Sequence, residues 1–532
     1  MDLDSTDFGR IHVSTVPLPD GIQAPSATYT YAGSVLVLHR TAGPDEDRYA
    51  LSVVADDGTG FRRIFEGDIP EHARANGIRH MPFADNRRVL LGDYILECSP
   101  DIDSCTRAEL VPLEYPWDLE HDPLTSHHWS EIIVSPDDEH MAWTILRTDM
   151  GAAAAWGRLE RRADRYTIED ATLISSASAF EPDPEHEGCV IPTPVRGGEV
   201  KQFVRGGTAI SAVGSAGGFL PDSVIQSLDG DAFTPVTRAP GYDETTILSP
   251  DERLGIVMTS RASVETNPAV LGLLPRPLAG IAGRGASWAA YMYTVSGVRT
   301  FRRGNIGPVL IDIARSQAEP HYEGISLADP DGEWVYVSPL SWHPSGTRVM
   351  WIETLRGTMR PGAHATLRVR IAHLRDHVPS EPVAVRPAPA QIPYAITGED
   401  AAAVLATPTP ASFVGRVAGR HSGCASVELR SGDIATGREG FTRVDYDGFS
   451  DDGLTFYDGF EEITSSFAAG TRYRADLAAT GEVDGEMRLR VTWSGISAGT
   501  RLLFDLGEDG NPRSFGFARA GSRRLDIADL SE

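Results

Sequence analysis

The stretch "GYDETTILSPDERLGIVMTSR" (residues 241–261) combines a scaffold pattern with polar groups that could bind a ligand. Its centre, Ser249-Pro250-Asp251-Glu252, is typical of a turn, because proline sets φ at the first corner and Asp or Gly takes the next. Apolar residues on both sides predict two strands of an antiparallel hairpin. The polar ends, Tyr242 to Thr246 and Arg261, would then meet at one end of this hairpin.

Three further segments share this pattern. They are "RHMPFADNRRVLLGDY" (79–94), "HHWSEIIVSPDDEHMAWTILR" (127–147) and "PLSWHPSGTRVMWIETLR" (339–356). The apolar anchors before the four turns are 51, 114 and 94 residues apart, at Phe83, Val134, Leu248 and Trp342. A propeller blade takes about 40–50 residues, so these gaps predict one, two and two blades. Strands before Phe83 and after Trp342 complete the ring, which gives six or seven blades.

The turns "VSPDD", "LSPDE" and "WHPSG" resemble the WD40-like (PD40) repeat of TolB-type β-propellers, in which a Ser-Pro-Asp-Gly turn joins the inner two strands of each blade. The segments "VVADDGTGFRRIF" (53–65) and "VIQSLDGDAFTPVT" (224–237) resemble outer strands of such blades. The resemblance covers roughly residues 25–385. It implies a propeller fold but little about function, because this scaffold serves binding proteins and enzymes alike.

We therefore predict an all-β chain with two domains. Residues 1–385 form a six- or seven-bladed β-propeller, and residues 386–410 form a Pro/Ala-rich linker with a short helix around "GEDAAAVLA". Residues 411–532 alternate in polarity, as in "ASVELRS" and "MRLRVTWSG", which favours an antiparallel β-sandwich or a small β-barrel. This second domain would bind carbohydrate or cap the propeller.

Composition limits the partners and the compartment. The formal net charge of −27 argues against binding nucleic acid or an anionic membrane surface. The start, "MDLDSTDFGR", lacks an apolar signal core, so the chain as it stands is expected in the cytoplasm, or in the periplasm or outside the cell if a signal was removed. Cys98 and Cys105 would close a local loop by a disulfide only in an oxidising compartment. The oligomeric state is not indicated.

The hairpin geometry gathers polar groups at one end of several blades, which predicts a ligand site at one mouth of the central channel. The candidate catalytic residues are His80, His127, His128, Glu131, Tyr242 and Glu244. The candidate substrate-binding residues are Trp129, Arg147, Asp243, Thr245, Arg261, Glu353 and Arg356.

These residue types indicate acid–base chemistry on an acidic substrate. Arginine binds carboxylates in a bidentate fork, and His and Tyr act as acid or base once their pKa values are tuned. We expect an enzyme acting on a polar or acidic small molecule or sugar, most of all a lyase or hydrolase, with an isomerase or cyclase as a further option. The alternative is a non-catalytic TolB-like propeller that binds a protein or glycan, in which these residues form inter-blade salt bridges.

No cofactor is evident from the sequence, but the channel offers candidate ligands for a divalent metal. By analogy with polysaccharide lyases on propeller scaffolds, some of which hold a metal with channel histidines, the set would come from His80, His127 or His128, Glu131, Glu244 and His343. No segment matches a lyase motif closely enough to transfer residues, and His343 follows Trp342 in a turn, so its side chain could point elsewhere.

Overall fold

The computed structural model describes residues 1–41, 48–69, 78–117, 126–147, 151–194, 196–215, 218–329, 331–359, 365–406, 412–433, 436–466 and 468–530. Strands dominate this part of the chain, and nearly all of their pairings are antiparallel. Six blades of four strands or more form a β-propeller, and a separate sheet of eight strands follows. The predicted all-β propeller fold is therefore confirmed, with six blades.

Two strands at the start of the chain belong to the last blade: β1 (Asp2–Ser5) and β2 (Gly9–Thr15). Blade 1 contains β3 (Gln23–Tyr29), β4 (Val35–Arg40), β5 (Arg48–Val54) and β6 (Arg62–Asp68). Blade 2 contains β7 (His80–Pro82), β8 (Arg88–Leu91), β9 (Tyr94–Ser99) and β10 (Arg107–Glu114). Blade 3 contains β11 (Ser126–Val134), β12 (His140–Leu146), β13 (Ala152–Arg161) and β14 (Tyr166–Leu173).

A short hairpin, β15 (Phe180–Pro182) and β16 (Val190–Pro192), separates blades 3 and 4. Blade 4 contains β17 (Glu199–Val204), β18 (Ala209–Gly214), β19 (Asp222–Ser227) and β20 (Phe233–Pro235). Blade 5 contains β21 (Asp243–Leu248), β22 (Leu254–Thr259), β23 (Val309–Asp312) and β24 (Ile325–Ser326). Blade 6 contains β25 (Trp334–Trp342), β26 (Arg348–Leu355) and β27 (Leu367–Leu374). It is completed by β2 and β1, and the pairing of β2 with β27 closes the ring.

The inner hairpin turns place one residue each in the left-handed region, at Asn86 (φ 56°), Asp138 (φ 64°), Glu252 (φ 56°) and Gly346 (φ 69°). Two of these residues also link neighbouring blades. The Asp138 carboxylate accepts hydrogen bonds from the backbone N–H groups of Ala84 and Asp85 in blade 2, both at 2.7 Å. The Glu252 carboxylate accepts one from the N–H of Arg205 in blade 4, at 2.5 Å. The second acidic residue of "SPDD" and "SPDE" therefore ties its own blade to the preceding one.

Apolar side chains fill the space between adjacent blades. Leu36, Leu51 and Leu91 share one buried cluster between blades 1 and 2. Cys98 and Cys105 lie in the same cluster and are free rather than bridged, as are the other two cysteines. Apolar packing thus holds adjacent blades together. At the turn end of the blades, the carboxylates of Asp138 and Glu252 add hydrogen bonds between neighbours.

The gap of 94 residues between Leu248 and Trp342 does not contain the two blades predicted from its length. Residues 260–308, between β22 and β23, form a helical insertion in blade 5. It contains α1 (Ala279–Ala282), α2 (Arg284–Tyr291), a π-helical turn (Met292–Ser296) and α3 (Gly297–Thr300), and α4 (Ile313–Ala318) follows β23. That expectation was wrong because the count assumed that all added length is strand. Among the described helices, none is long and apolar enough to cross a membrane.

The Pro/Ala-rich segment after blade 6 runs along the turns of the propeller. The N–H of Val383 donates to Pro250 O, and the N–H of Arg386 donates to Gly206 O, both at 2.9 Å. The segment then forms β28 (Ile396–Thr397), which pairs with β14, and α5 (Gly398–Ala406). The helix predicted around "GEDAAAVLA" is confirmed.

The C-terminal strands form a single antiparallel sheet rather than two facing sheets. They are β29 (Ser412–Ala418), β30 (Ser422–Arg430), β31 (Gly440–Ser450), β32 (Thr455–Ser466), β33 (Gly470–Gly481), β34 (Gly485–Trp493), β35 (Phe515–Ala520) and β36 (Arg523–Asp526). Each strand pairs with the next, and the described residues show no pairing between β29 and β36. Buried and exposed residues alternate along the strands, so one face of the sheet is covered.

The helical insertion covers that face and is held there by a buried ion pair. Arg276 Nε lies 3.0 Å from Glu461 Oε2, and the two side chains are 1% and 0% exposed. The hydroxyl groups of Tyr446 and Tyr473 also donate to the Glu461 carboxylate, at 3.0 and 3.1 Å. The Arg276 guanidinium lies over the Phe219 ring next to blade 4, at 4.7 Å. This network joins the propeller, the insertion and the sheet.

Glu461→Ala should lower the free energy of unfolding by about 3–5 kcal/mol, because it leaves the Arg276 guanidinium buried without a counter-charge. The matched control is Asp476→Ala on the same sheet, where Asp476 and Arg488 form an exposed pair at 3.2 Å. That change should cost less than about 1 kcal/mol. Urea unfolding followed by tryptophan fluorescence measures both, and equal losses would contradict a structural role for the buried pair.

Candidate functional site

The inner strands of blades 3, 4 and 5 bring four charged side chains together in the central channel. Glu131 lies on β11, Glu199 and Lys201 on β17, and Glu244 on β21. Lys201 Nζ lies 2.8 Å from Glu131 Oε2, 2.8 Å from Glu199 Oε2 and 3.8 Å from Glu244 Oε1. We refer to these four residues as the channel charge cluster. Glu199 and Lys201 lie on either side of Val200, and the register of β17 with β18 shifts at Lys201.

Lys201 is the only lysine in the 532-residue sequence, and the other 47 of its 48 basic residues are arginine. Its side chain is 2% exposed. An ammonium is a compact charge that can contact several carboxylates, whereas a guanidinium is larger and planar. The sequence-based selection of site residues missed Lys201 and Glu199. The lysine count, together with a charged residue inside the strand segment "VKQFV", was the signal that could have found them.

The channel charge cluster shifts the pKa values of its members. Burial and the neighbouring charge of Glu199 raise the pKa of Glu244 from its ordinary 4.5 to about 7, although the Lys201 ammonium opposes this shift. The pKa of Lys201 is raised, because the surrounding carboxylates outweigh the effect of burial. Lys201 is therefore charged, while Glu244, its most distant partner, exchanges a proton near neutral pH.

A cavity of about 490 Å³ opens beside this cluster. Glu199 and Glu244 form part of its wall, and α2 and the turns after it form another part. Four arginines line it, Arg79, Arg147, Arg196 and Arg299, together with Tyr242 and Tyr291. The cavity thus combines titratable carboxyl and phenol groups with several positive charges.

Two tyrosines flank Glu244. The Tyr242 hydroxyl donates to Glu244 Oε2 at 3.1 Å, and its ring lies 6.4 Å from that of Tyr291 on α2. Burial and the charge of Glu244 raise the pKa of Tyr291 to about 12, and the same causes raise the pKa of Tyr242. Both phenols are therefore protonated at neutral pH and can donate hydrogen bonds or a proton.

Contacts with the protein hold the arginines around the cavity. Arg299 Nε donates to Tyr336 O at 3.1 Å, and Arg147 Nη1 donates to Val404 O at 3.0 Å. The charge of Arg299 lowers the pKa of Glu244, against the effect of burial. Guanidinium groups held in this way can bind a carboxylate with several donors.

The structure brings together part of the predicted site. Glu131 and Glu244 belong to the channel charge cluster, and Tyr242 and Arg147 line the cavity. The backbone of residues 127–129 belongs to β11. The side chains of these residues, His127, His128 and Trp129, lie outside the described residues.

Three residues predicted on blade 5 lie elsewhere. Asp243 and Arg261 form a buried ion pair at 2.9 Å, with side chains that are 0% and 8% exposed. Arg261 also donates to the carbonyl oxygen of Tyr322. Thr245 is buried and, like this pair, does not belong to the cavity lining. Asp243 and Arg261 are thus paired with each other inside blade 5, where the register of β21 with β22 shifts.

The two residues predicted on blade 6 also have structural partners. Glu353 is buried and accepts hydrogen bonds from Arg368 Nε at 2.7 Å and Trp351 Nε1 at 2.9 Å. Arg356 donates to the carbonyl oxygens of Val298, Arg302, Gly304 and Gly332, which fixes the end of the helical insertion. Neither residue lines the cavity.

His80 and His343 do not join the channel charge cluster. His80 is buried on β7, burial lowers its pKa to about 4, and its Nε2 has no hydrogen-bond partner among the described residues. His343 lies on the turn of blade 6, where its Nε2 is 2.7 Å from Arg348 Nη2 and its ring packs against Tyr29. Its position at the turn end separates it from the channel mouth.

Of the candidate metal ligands in the channel, Glu131 and Glu244 pair with the Lys201 ammonium. The side chains of His127 and His128 lie outside the described residues, so a metal in the channel stays a prediction. Within the described residues, one group has the spacing of metal ligands: Asp137, Glu139 and His140 in the turn of blade 3. Asp137 already accepts hydrogen bonds from the Ser135 hydroxyl and the N–H of Ala388. These two hydrogen bonds stabilise the turn of blade 3 and explain the position of the Asp137 carboxylate without a metal ion.

Comparisons with known proteins concern the fold. No family model and no curated protein matches the chain. The chain is similar to a putative TolB from Agrobacterium tumefaciens, with 12% identity, 56% of this chain and 76% of that chain covered, and a TM-score of 0.30. It is also similar to TolB from Acinetobacter baumannii, with 12% identity, 68% and 65% covered, and a TM-score of 0.27.

A third similar structure is an oligogalacturonate lyase in complex with manganese, with 10% identity, 71% of this chain and 96% of that chain covered, and a TM-score of 0.35. The strand topology by itself identifies a β-propeller. At these identities the similarity carries nothing about activity.

The single lysine allows a direct test of the channel charge cluster. In protein labelled with [ε-13C]lysine, one signal should report Lys201, and it should keep its protonated position at pH 10.5, where an ordinary lysine is half deprotonated. The signal should also shift once near pH 7, as Glu244 loses its proton at 3.8 Å. Glu244→Gln should remove that step. A lysine that titrates near 10.5 would contradict the buried cluster.

The raised pKa of Glu244 predicts a pH-dependent stability. The folded chain binds the Glu244 proton more tightly than the unfolded chain, so between pH 4.5 and about 7 unfolding releases it. The free energy of unfolding should therefore fall as pH rises through this window, by up to about 3 kcal/mol from this group. Glu244→Gln should remove this contribution. Urea unfolding of both proteins at pH 5 and pH 8 measures it, and a pH-independent difference between them would contradict it.

Proposed function

We propose that this protein is an enzyme that performs acid–base chemistry on a small molecule or sugar bearing a carboxylate, in the cavity beside the channel charge cluster. The observation that carries this proposal is the buried Glu244 carboxyl, with a pKa of about 7, in the wall of a cavity lined by four arginines. A carboxyl with this pKa is present in both protonation states at neutral pH, which suits proton transfer.

The reaction class that these groups favour is elimination of the lyase type. The Glu244 carboxylate takes a proton from the carbon next to the substrate carboxylate, the electron pair forms a carbon–carbon double bond, and the bond to the oxygen on the next carbon breaks. The Tyr291 hydroxyl can give its proton to the departing oxygen. Arginines such as Arg299 bind the substrate carboxylate and stabilise the charge that develops on it.

Hydrolysis is the second option within the same site. There Glu244 would take a proton from a water molecule, which attacks the substrate, and the same phenol would protonate the leaving group. Both reactions use Glu244 as the base and the arginines as the carboxylate anchor. The residues therefore have the same roles in elimination and in hydrolysis. The product distinguishes the two reactions, because only elimination forms a carbon–carbon double bond.

A non-catalytic binding protein remains the alternative, and one observation favours it. The arginines of the cavity already have protein partners: Arg196, for example, pairs with Asp231 at 2.8 Å and lies over the Tyr394 ring at 4.4 Å. A pre-organised cavity of this kind also suits a ligand that binds without reacting. Turnover separates the two functions.

Incubation with a panel of uronate oligosaccharides and small hydroxycarboxylates, followed by absorbance of unsaturated products and by mass spectrometry, tests the proposal. For a substrate found in this way, Glu244→Gln should lower kcat roughly 10²–10⁴-fold with little change in KM. Arg299→Met should mainly raise KM, because it removes a carboxylate contact. In the wild type, kcat/KM should rise with pH through about 7, where Glu244 becomes a base.

Glu353→Gln is the matched control, since Glu353 is a buried carboxylate of blade 6 that does not line the cavity. It should keep the activity of the wild type in whatever fraction is folded. Full turnover by Glu244→Gln would overturn its role as the base. Tight binding of panel members without any product would favour the binding protein.

A further inference from the structure

A second cavity, of about 330 Å³, lies among the C-terminal sheet, the helical insertion and the β15–β16 hairpin, which all contribute residues to its lining. Its lining is mostly apolar and includes Phe180, Ile281, Met292, Phe413, Phe441 and Ile463. This volume falls within the range of about 300–1,000 Å³ of small-molecule sites. The proposed acid–base reaction uses none of these six side chains.

The two cavities share a wall. Ser178, Ala179, Thr193 and Trp288 line both of them. On the helix, Ser287 and Tyr291 face the first cavity, and Gly285 and Ala289 face the second. Helix α2 therefore has one face toward the titratable Glu244 and another toward the apolar space, with Trp288 at the boundary.

This arrangement is held by close packing on both sides of the second cavity. The rings of Phe180 and Phe413 stack at 4.5 Å with an interplanar angle of 8°, which joins the β15–β16 hairpin to the first strand of the sheet. Gly285 lets α2 approach β32, because a Cβ there would lie 2.7 Å from the Cβ of Ser465. The apolar space is therefore built into the fold.

We propose that the two cavities form one binding site, and that the ligand is amphipathic. Its carboxylate lies among the arginines near Glu244, and an alkyl chain or aromatic ring passes Trp288 into the second cavity. This inference rests on the proposed function for the position of the carboxylate. The four residues that line both cavities, and the apolar side chains beyond them, carry the rest.

Binding of straight-chain monocarboxylates from acetate to dodecanoate, measured by calorimetry below their micelle concentrations, tests this inference. Once the chain is long enough to pass Trp288, each added methylene should tighten binding roughly fourfold. Two variants should reduce this gain: Met292→Trp, which fills the second cavity, and Phe441→Ala, which removes part of its wall. Both should leave the affinity for acetate unchanged, which also shows that they are folded.

The control variant is Phe515→Ala. Phe515 lies on the same sheet and is 43% exposed, with an arginine over its ring as Phe441 has, but it lies outside the cavity lining. It should keep the full gain per methylene. Equal affinities for acetate and dodecanoate, or the same gain in all variants, would overturn the inference.

The outcomes separate this inference from the proposed function. If acetate binding depends on Arg299 but chain length has no effect, the carboxylate site beside Glu244 stands and the joint site fails. If chain length matters as expected but Glu244→Gln keeps full turnover of a panel substrate, the joint site stands and the role of Glu244 fails.

Discussion

The buried ammonium group of Lys201 lies among the carboxylates of Glu131, Glu199 and Glu244 in the channel of the propeller. The candidate site depends on this ammonium group, because it supplies the counter-charge for the three carboxylates. Carboxylates removed from water are costly unless a counter-charge compensates them. Lys201 contacts Glu131 and Glu199 at 2.8 Å but Glu244 only at 3.8 Å. Glu244 is thus the farthest of the three from the ammonium, and burial together with the charge of Glu199 raises its pKa to about 7. The interaction that joins blades 3, 4 and 5 therefore also leaves one carboxyl group ready to exchange a proton.

A second interaction decides what surrounds that carboxyl group. The Arg276–Glu461 pair fixes the helical insertion of blade 5 against the C-terminal sheet. The insertion contributes Tyr291 and Arg299 to the cavity beside Glu244, and Trp288 to the wall it shares with the apolar cavity. The C-terminal sheet therefore has a role in the site without carrying the titratable groups, because it holds the helix that completes both cavities.

Much of the propeller could be predicted from its turns, whereas the site could be predicted only in part. Hairpin symmetry correctly indicated that Asp243 and Arg261 meet at one end of blade 5. It did not indicate the face: Tyr242 and Glu244 line the cavity, whereas Asp243 pairs with Arg261 inside the blade, where the register of β21 with β22 shifts. Lys201 was missed because its segment has no Ser-Pro-Asp turn, and the helical insertion was missed because chain length between anchors does not distinguish strands from helices.

The sequence by itself determined the four blades that carry such a turn, since a Ser-Pro-Asp type turn between apolar strands is a local pattern that favours one conformation. It also determined the position of the short helix over residues 398–406. Only the tertiary structure decided which charged residues meet in the channel, because Glu131, Lys201 and Glu244 lie on three blades and are far apart along the chain. The proton affinity of Glu244 likewise depends on burial and on charges from other blades, which no local pattern specifies.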